Sequence, residues 1–354
     1  KYPNEITVWM EPKVWPSEKA MREWAYEKSV WQNENIIVAE QAIIGNDSFD
    51  AASKSGILDV CKKNGVRFVD IAKGAFEQVK IDGFKFNIFK DALDRKVINV
   101  PIMKTNSQIG LSGAMENLIR FADENTQRNM FLNGIDTTLP KFAMAFKDIL
   151  TIADASVGMQ GQGPLTLGEP AFLNFLLGSR NVANLDTVFC EVTMLQVPPY
   201  VQSESNSGVK KIEVVGNELD ALKFQIKPPV PGDTAHPDIK VIDGKACPAC
   251  FNRMFSITSK LVGLRGNQLN IVMGPMLTND MLKGHDRIVL FGDCAISKST
   301  ELGTKPMAKI SERLDEIEQL VLFKKLLTSA SETAITPVDK VRSKMKNFLH
   351  NVTR

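Results

Sequence analysis

Short apolar runs alternate with segments of helical spacing along most of this chain, and that alternation predicts βαβ units around a parallel or mixed sheet. Asn35 to Ile44 begins as a buried strand, Phe49 to Lys63 has helical spacing that stops at Asn64-Gly65, and Val66 to Ile71 is the next strand. Val79 to Phe89 alternates apolar and polar positions around Asp82-Gly83, the pattern of a half-buried strand with a tight turn. The run Val97 to Met103 ends in Lys104, and a polar loop with Gly110 and Gly113 leads into a helix-like segment. Leu139 to Leu150 reads as an amphipathic helix and Thr151 to Ala155 as a short strand. A glycine-rich loop from Gly158 to Pro170 and an apolar helix from Asn184 to Leu195 follow.

Pro198-Pro199 and the polar run Gln202 to Gly208 mark a boundary. Beyond it, Val209 to Lys227 reads as strand, turn and strand around Gly216-Asn217. Asp238 to Asp243, Asn270 to Met273 and Arg287 to Phe291 are strands, and Phe251 to Leu264 is a helix. Ala308 to Leu327 places Ile310, Leu314, Ile317, Val321 and Leu322 between charges, which predicts an amphipathic helix, and Val338 to Leu349 predicts another. The expected fold is α/β: a parallel or mixed sheet covered by helices, then a smaller α/β domain and C-terminal helices. The expected divisions are a Trp-rich segment (1–34), a main domain (35–197), a cysteine-containing domain (198–305) and the terminal helices (306–354).

Composition narrows the function classes. Lys and Arg number 43 against 41 Asp and Glu, a net charge of +2 with no basic stripe, which excludes a nucleic-acid surface. No apolar run approaches the roughly 20 residues of a membrane span. The start lacks a basic segment followed by an apolar one, so a cytoplasmic protein is expected. The chain opens on Lys1, which leaves a removed leader open. Trp9, Trp15, Trp24 and Trp31 all fall in the first 34 residues; they form buried core or, with the terminal helices, a contact to a homo-oligomer or a protein complex. Five cysteines in a chain of this size do not form a disulfide framework.

Three stretches carry candidate chemistry. Lys104 can offer a point charge to an anionic small molecule, with Thr105 and Asn106 adding hydrogen bonds; the plain alternative is a solvated lysine. Gly158, Gly161 and Gly163 allow close backbone approach to a ligand or serve a structural turn, and their spacing fits neither a dinucleotide fingerprint nor a Walker loop. Asp154 and Asp186 are the acids expected to face the same cleft as hydrogen-bond acceptors or general bases. Cys247-Pro-Ala-Cys250 with Cys294 can supply three sulfurs to an iron–sulfur cluster or to zinc, with His285, Asp293, water or substrate in the fourth position. A dithiol pair and inert packing cysteines are the alternatives.

VINVPIMKTNSQIGLSGAMENL (97–118) resembles the central motif of the family known as domain of unknown function 362, a strand ending in Pro-x-x-Lys-Thr-His before a glycine-containing segment and Lys-Asn. IADASVGMQGQGPLTLGEP is similar to the family's Asp-x-x-x-Gly-Met-x-Gly-x-Gly-Pro stretch, and LLGSRNVANLDTV to its following Ser-x-x-x-x-x-x-Asp stretch. The resemblance runs from about Asn35 to Leu195 and adds Asn117 and Ser179 to the ligand-binding candidates. Asn106 stands where the family has histidine and Glu116 where it has lysine, changes that weaken an anion site. Many relatives are described as iron–sulfur proteins. The resemblance implies an iron–sulfur or metal protein of anaerobic metabolism with redox or Lewis-acid chemistry, or a non-catalytic subunit that keeps the fold.

Overall fold

The computed structural model describes residues 36–42, 47–164, 167–205, 212–230, 234, 236–299, 301–302 and 305–329, and the backbone of one further strand, β1 (Ile6–Met10). The rest of the Trp-rich start and the helix expected at Val338 to Leu349 lie outside the described residues. Among the described residues no helix is long and apolar enough to cross a membrane.

The chain is α/β, and its described residues form two main sheets, of nine and four strands, and a separate two-stranded hairpin. β1, β2 (Ile36–Glu40) and β3 (Arg67–Asp70) pair in parallel. The expected helix of 49–63 is two, Ser48–Lys54 and Ile57–Lys63, because Gly56 turns the backbone to a φ of 80° between them. β4 (Phe76–Ile81) and β5 (Phe84–Phe89) form the hairpin read at Asp82-Gly83, whose φ values of 46° and 86° match a turn with the strands' own twist.

The run Val97 to Met103 is longer than its apolar part. β6 (Lys96–Val100) and β7 (Ile102–Asn106) are one extended path interrupted at Pro101, which has no N–H for the ladder. β7 returns through β8 (Gly110–Ser112). Lys104 therefore lies within a strand and not past its end.

The largest departure is β9 (Ile149–Gln162), a strand of 14 residues that contains the glycines expected in a loop. It pairs in parallel with β6 and β7, and antiparallel with β10 (Leu167–Ala171) and β11 (Phe175–Ser179). The helix expected at Leu139 to Leu150 ends early, as Ile135–Ala143, since Ile149 already opens β9. The sheet order is β3-β2-β1-β6-β9-β7-β8. Its core continues past the expected boundary at 198, because Tyr200, Val201 and Ile226 are buried in it. Of the stretch Val209 to Lys227, where a strand pair was expected, the described residues 212–227 hold no strand and one short helix, Leu219–Leu222.

The second sheet is fully parallel, ordered β12 (Ile239–Asp243), β13 (Leu269–Met273), β14 (Ile288–Phe291) and β15 (Ala308–Ile310). The expected helix of 308–327 is thus a strand followed by the helix Glu316–Thr328. Asp315 and Glu318 form a capping box that starts the helix eight residues late. Phe323, Leu326 and Leu327 of that helix share a core with Phe251, Met254 and Phe255 of the helix Pro248–Lys260. Residues 308–328 accordingly belong to the cysteine-containing unit and are not a separate terminal piece.

Candidate functional site

In a parallel sheet, ligands collect at the carboxyl ends of the strands. The turn after β12 delivers Cys247 there. Asp243 ends the strand and accepts the N–H of Ala246 at 2.6 Å, and Cys247 then caps the helix Pro248–Lys260, with Pro248 suited to a first turn that has no partner for its N–H. Cys250 follows in that first turn. The turn after β14 brings Gly292 against Cys250: a Cβ on Gly292 would stand 2.8 Å from the Cys250 Sγ. Cys294 comes two residues later, in the helix Asp293–Lys298. The turn after β15 adds Glu312, whose carboxylate accepts the N–H of Asp293.

The charges of these groups are linked. A hydrogen bond from the Cys250 thiol, aided by the N–H groups of Cys250 and Ala249 and by Arg128, brings Cys247 down to about 6 against the opposing effect of burial. Donating that bond pushes Cys250 well above the usual thiol range, with burial and the charges of Cys247, Glu312 and Cys294 adding to it. Cys294 is raised first by burial and then by Cys247 and Glu312. Arg128, on the helix Glu124–Leu132 of the main domain, donates from Nη1 to the Cys247 Sγ at 3.5 Å and holds Glu124 at 2.7 Å. Cys247 is therefore expected to react with iodoacetamide with a half-maximal rate near pH 6, about 2.5 pH units below an ordinary thiol. Site-resolved mass spectrometry across pH 5 to 9 measures it; a midpoint near 8.5 contradicts it.

Of the residues that the sequence reading set beside the thiols, His285 precedes β14 and so lies at its amino end, and Asp293 is paired with Arg313 at 2.7 Å. Glu312 stands at the same edge as the thiols. It was missed because the apolar spacing of 308–327 placed it inside a helix, where a charge reads as solvated. Arg128 was missed because no local pattern links it to a cysteine 119 positions on. Among the described residues no three acidic, histidine or thiol groups stand in ready ligating geometry.

The main-domain candidates are placed differently. Lys104 is 1% exposed inside β7, between Ser112 of β8 and Met159 of β9, so its charge is not offered to solvent. Thr105 beside it is buried and donates to the Met159 carbonyl at 3.4 Å. Asn106 is consumed by its own turn: Oδ1 accepts from the N–H of Gln108 and Ile109, and Nδ2 donates to Ser112. Asn117 donates to Asn99, which in turn donates to Thr151 and to the Ala114 carbonyl.

Asp186 was expected to face the cleft as a hydrogen-bond acceptor or general base; its two oxygens accept the N–H groups of Ala114 and Met115 at 2.6 and 2.9 Å. It caps the short helix Ala114–Asn117 from another element and is fully buried. Asp154 accepts from the N–H of Ser156, and Ser179 from that of Asn181, both two residues on. Gly158 and Gly163 let β7 pass close by: a Cβ on Gly158 would lie 2.7 Å from the Met103 carbonyl oxygen, and one on Gly163 would meet that of Thr105. Gly161, with a φ of 71°, donates its N–H to the Lys227 carbonyl.

Besides Arg128, a second main-domain residue reaches the Cys247 turn. Gln108, in the turn between β7 and β8, donates from Nε2 to the Ala246 carbonyl at 2.7 Å, one residue before Cys247. Residues 24–191, a span that takes in the motifs of β7, β9 and Asp186, match the family described as Domain of unknown function (DUF362). No curated protein matches the chain.

Proposed function

We propose that this chain, with its DUF362 match over residues 24–191, is a metal-binding protein whose centre lies where the two sheets meet. Cys247, Cys250 and Cys294 would hold an iron–sulfur cluster or zinc, with Glu312 as an oxygen donor. The observation that carries this reading is the gathering of three thiols and a carboxylate from three strand ends, close enough that Cys247 and Glu312 raise the proton affinity of both Cys250 and Cys294. One guanidinium, Arg128, offsets that negative charge in part. A bound cation would reverse the balance, since metal binding displaces protons from thiols.

The donor set fits a thiophilic ion, because three sulfurs with one oxygen suit zinc or an iron–sulfur cluster and not magnesium or calcium. When bound, such a group supplies electron transfer or Lewis-acid polarisation. The protein's own contribution would be Arg128, which stands beside the centre and would meet an anionic small molecule there. Lys104, enclosed in its strand, would not.

Iron, zinc and acid-labile sulfide are measured in protein purified without oxygen, for the wild type, Cys247→Ser and Glu312→Ala. Metal is expected in the wild type, lost in Cys247→Ser and held more weakly in Glu312→Ala. Iron with sulfide identifies a cluster and zinc alone a mononuclear centre; no metal in a wild type with all thiols reduced overturns the proposal.

A second reading, a dithiol–disulfide pair, is favoured by the hydrogen bond between Cys250 and the Cys247 thiolate at a helix start. It is supported if metal-free protein forms a reversible Cys247–Cys250 disulfide in glutathione buffers. Persistence of both thiols in the most oxidising buffer counts against it.

A further inference from the structure

We infer that the turn Asn106–Gln108 is a bracket that positions Cys247 from across the domain boundary. The side chain of Asn106 fixes the turn by accepting the N–H groups of Gln108 and Ile109 at 2.8 and 3.1 Å. That leaves the Gln108 side chain aimed outward from the main sheet, where Nε2 donates to the Ala246 carbonyl at 2.7 Å and lies 3.4 Å from the Asp243 carboxylate. Asp243 in turn accepts the Ala246 N–H, so both polar groups of the Ala246 main chain are held. The next residue is Cys247.

The short path from Asn106 to the thiol assigns a role to the part of the motif that looked like a ligand site. Asn106 spends its oxygen on the N–H groups of Gln108 and Ile109 and one amide hydrogen on Ser112, and so sets the direction of Gln108. Arg128 reaches the same residue from a different element, so the main domain touches the Cys247 turn at two points. Gln108 is a positioning residue: it touches neither thiol and acts through the Ala246 carbonyl.

The inference rests on the proposed role of Cys247, but its test does not need the metal. The rate of Cys247 alkylation is measured in metal-free, full-length protein at pH 7 for the wild type, Gln108→Ala, Gln108→Glu and Gln108→Lys, with the buried Cys61 and Cys190 as internal references. Losing one hydrogen bond from the turn is expected to raise the Cys247 rate about fivefold in Gln108→Ala. Gln108→Glu keeps the size and removes the donor, so it gives the same result even if the alanine variant folds poorly. Gln108→Lys restores a donor and returns the rate towards the wild type. An unchanged Cys247 rate in Gln108→Glu, or an equal acceleration at Cys61 and Cys190, overturns the bracket. A wild type that binds no metal overturns the centre and leaves these rates to be read as they stand.

Discussion

Asp186→Ala is expected to cost about 3 kcal/mol of stability, because it strips the acceptors from two buried N–H groups and nothing nearby replaces them. The carboxylate accepts from Ala114 and Met115 and lies fully inside the core, where Gly113 leaves no room for a side chain beside it. Burial pushes its proton affinity up to about 7, and Glu116 adds to that, while the two N–H groups pull the other way. The unfolded chain releases the same proton near the usual carboxylate value of 3.8.

Between those values the folded state holds a proton that the unfolded state has lost, so stability from this group falls as pH rises. The contribution is greatest below about pH 4, declines by up to about 1.4 kcal/mol per pH unit, and is level above about pH 7. Asp186→Asn cannot titrate, and the difference between wild type and variant isolates the group. Urea unfolding of both from pH 4 to 8 measures it. A difference that stays flat across that window contradicts the raised proton affinity of this buried carboxyl.

Alanine at Gly158 or Gly163 is the second large effect. Each new methyl would press on a carbonyl oxygen of β7, of Met103 and Thr105 respectively, and main chain in a paired strand cannot swing aside as a surface side chain can. A loss of about 3 kcal/mol is expected for either, at the upper end of the range for overpacking. Gly161→Ala is the control: nothing lies within 4 Å of its Cβ, and only the φ of 71° opposes it, at about 1 kcal/mol. Thermal or urea unfolding of the three variants ranks them. Equal, small losses at all three would mean that β7 and β9 do not approach as described, and would return these glycines to a loop facing a ligand.

The same glycines show why part of the chain was legible and part was not. Apolar runs such as Ile36–Glu40, Leu269–Met273 and Ile288–Phe291 announce strands because a strand in a covered sheet needs side chains that tolerate burial on both faces. Asp82-Gly83 announces its turn through the backbone angles those residues accept. Gly158 to Gly163 announces a loop by composition, yet it is strand as far as Gln162 and turns only at Gly163, because the reason for Gly158 and Gly163 is the nearness of β7, which is remote in sequence. Ala308 to Leu327 has one period on paper and two structures in the fold, since pairing with β14 outweighs local preference for its first three residues.

What the sequence by itself determined is the α/β class, the family motif and the grouping of Cys247, Cys250 and Cys294, all of which follow from local spacing and from the rule that parallel strands present their ends on one edge. Only the tertiary structure decided the rest: that Asp186 and Asn106 hold backbone, that Lys104 is enclosed, and that Glu312 and Arg128 stand with the thiols. Those roles depend on distances between segments far apart in the chain. A carboxylate that caps a helix and one that serves a cleft are written with the same letter, and their surroundings alone separate them.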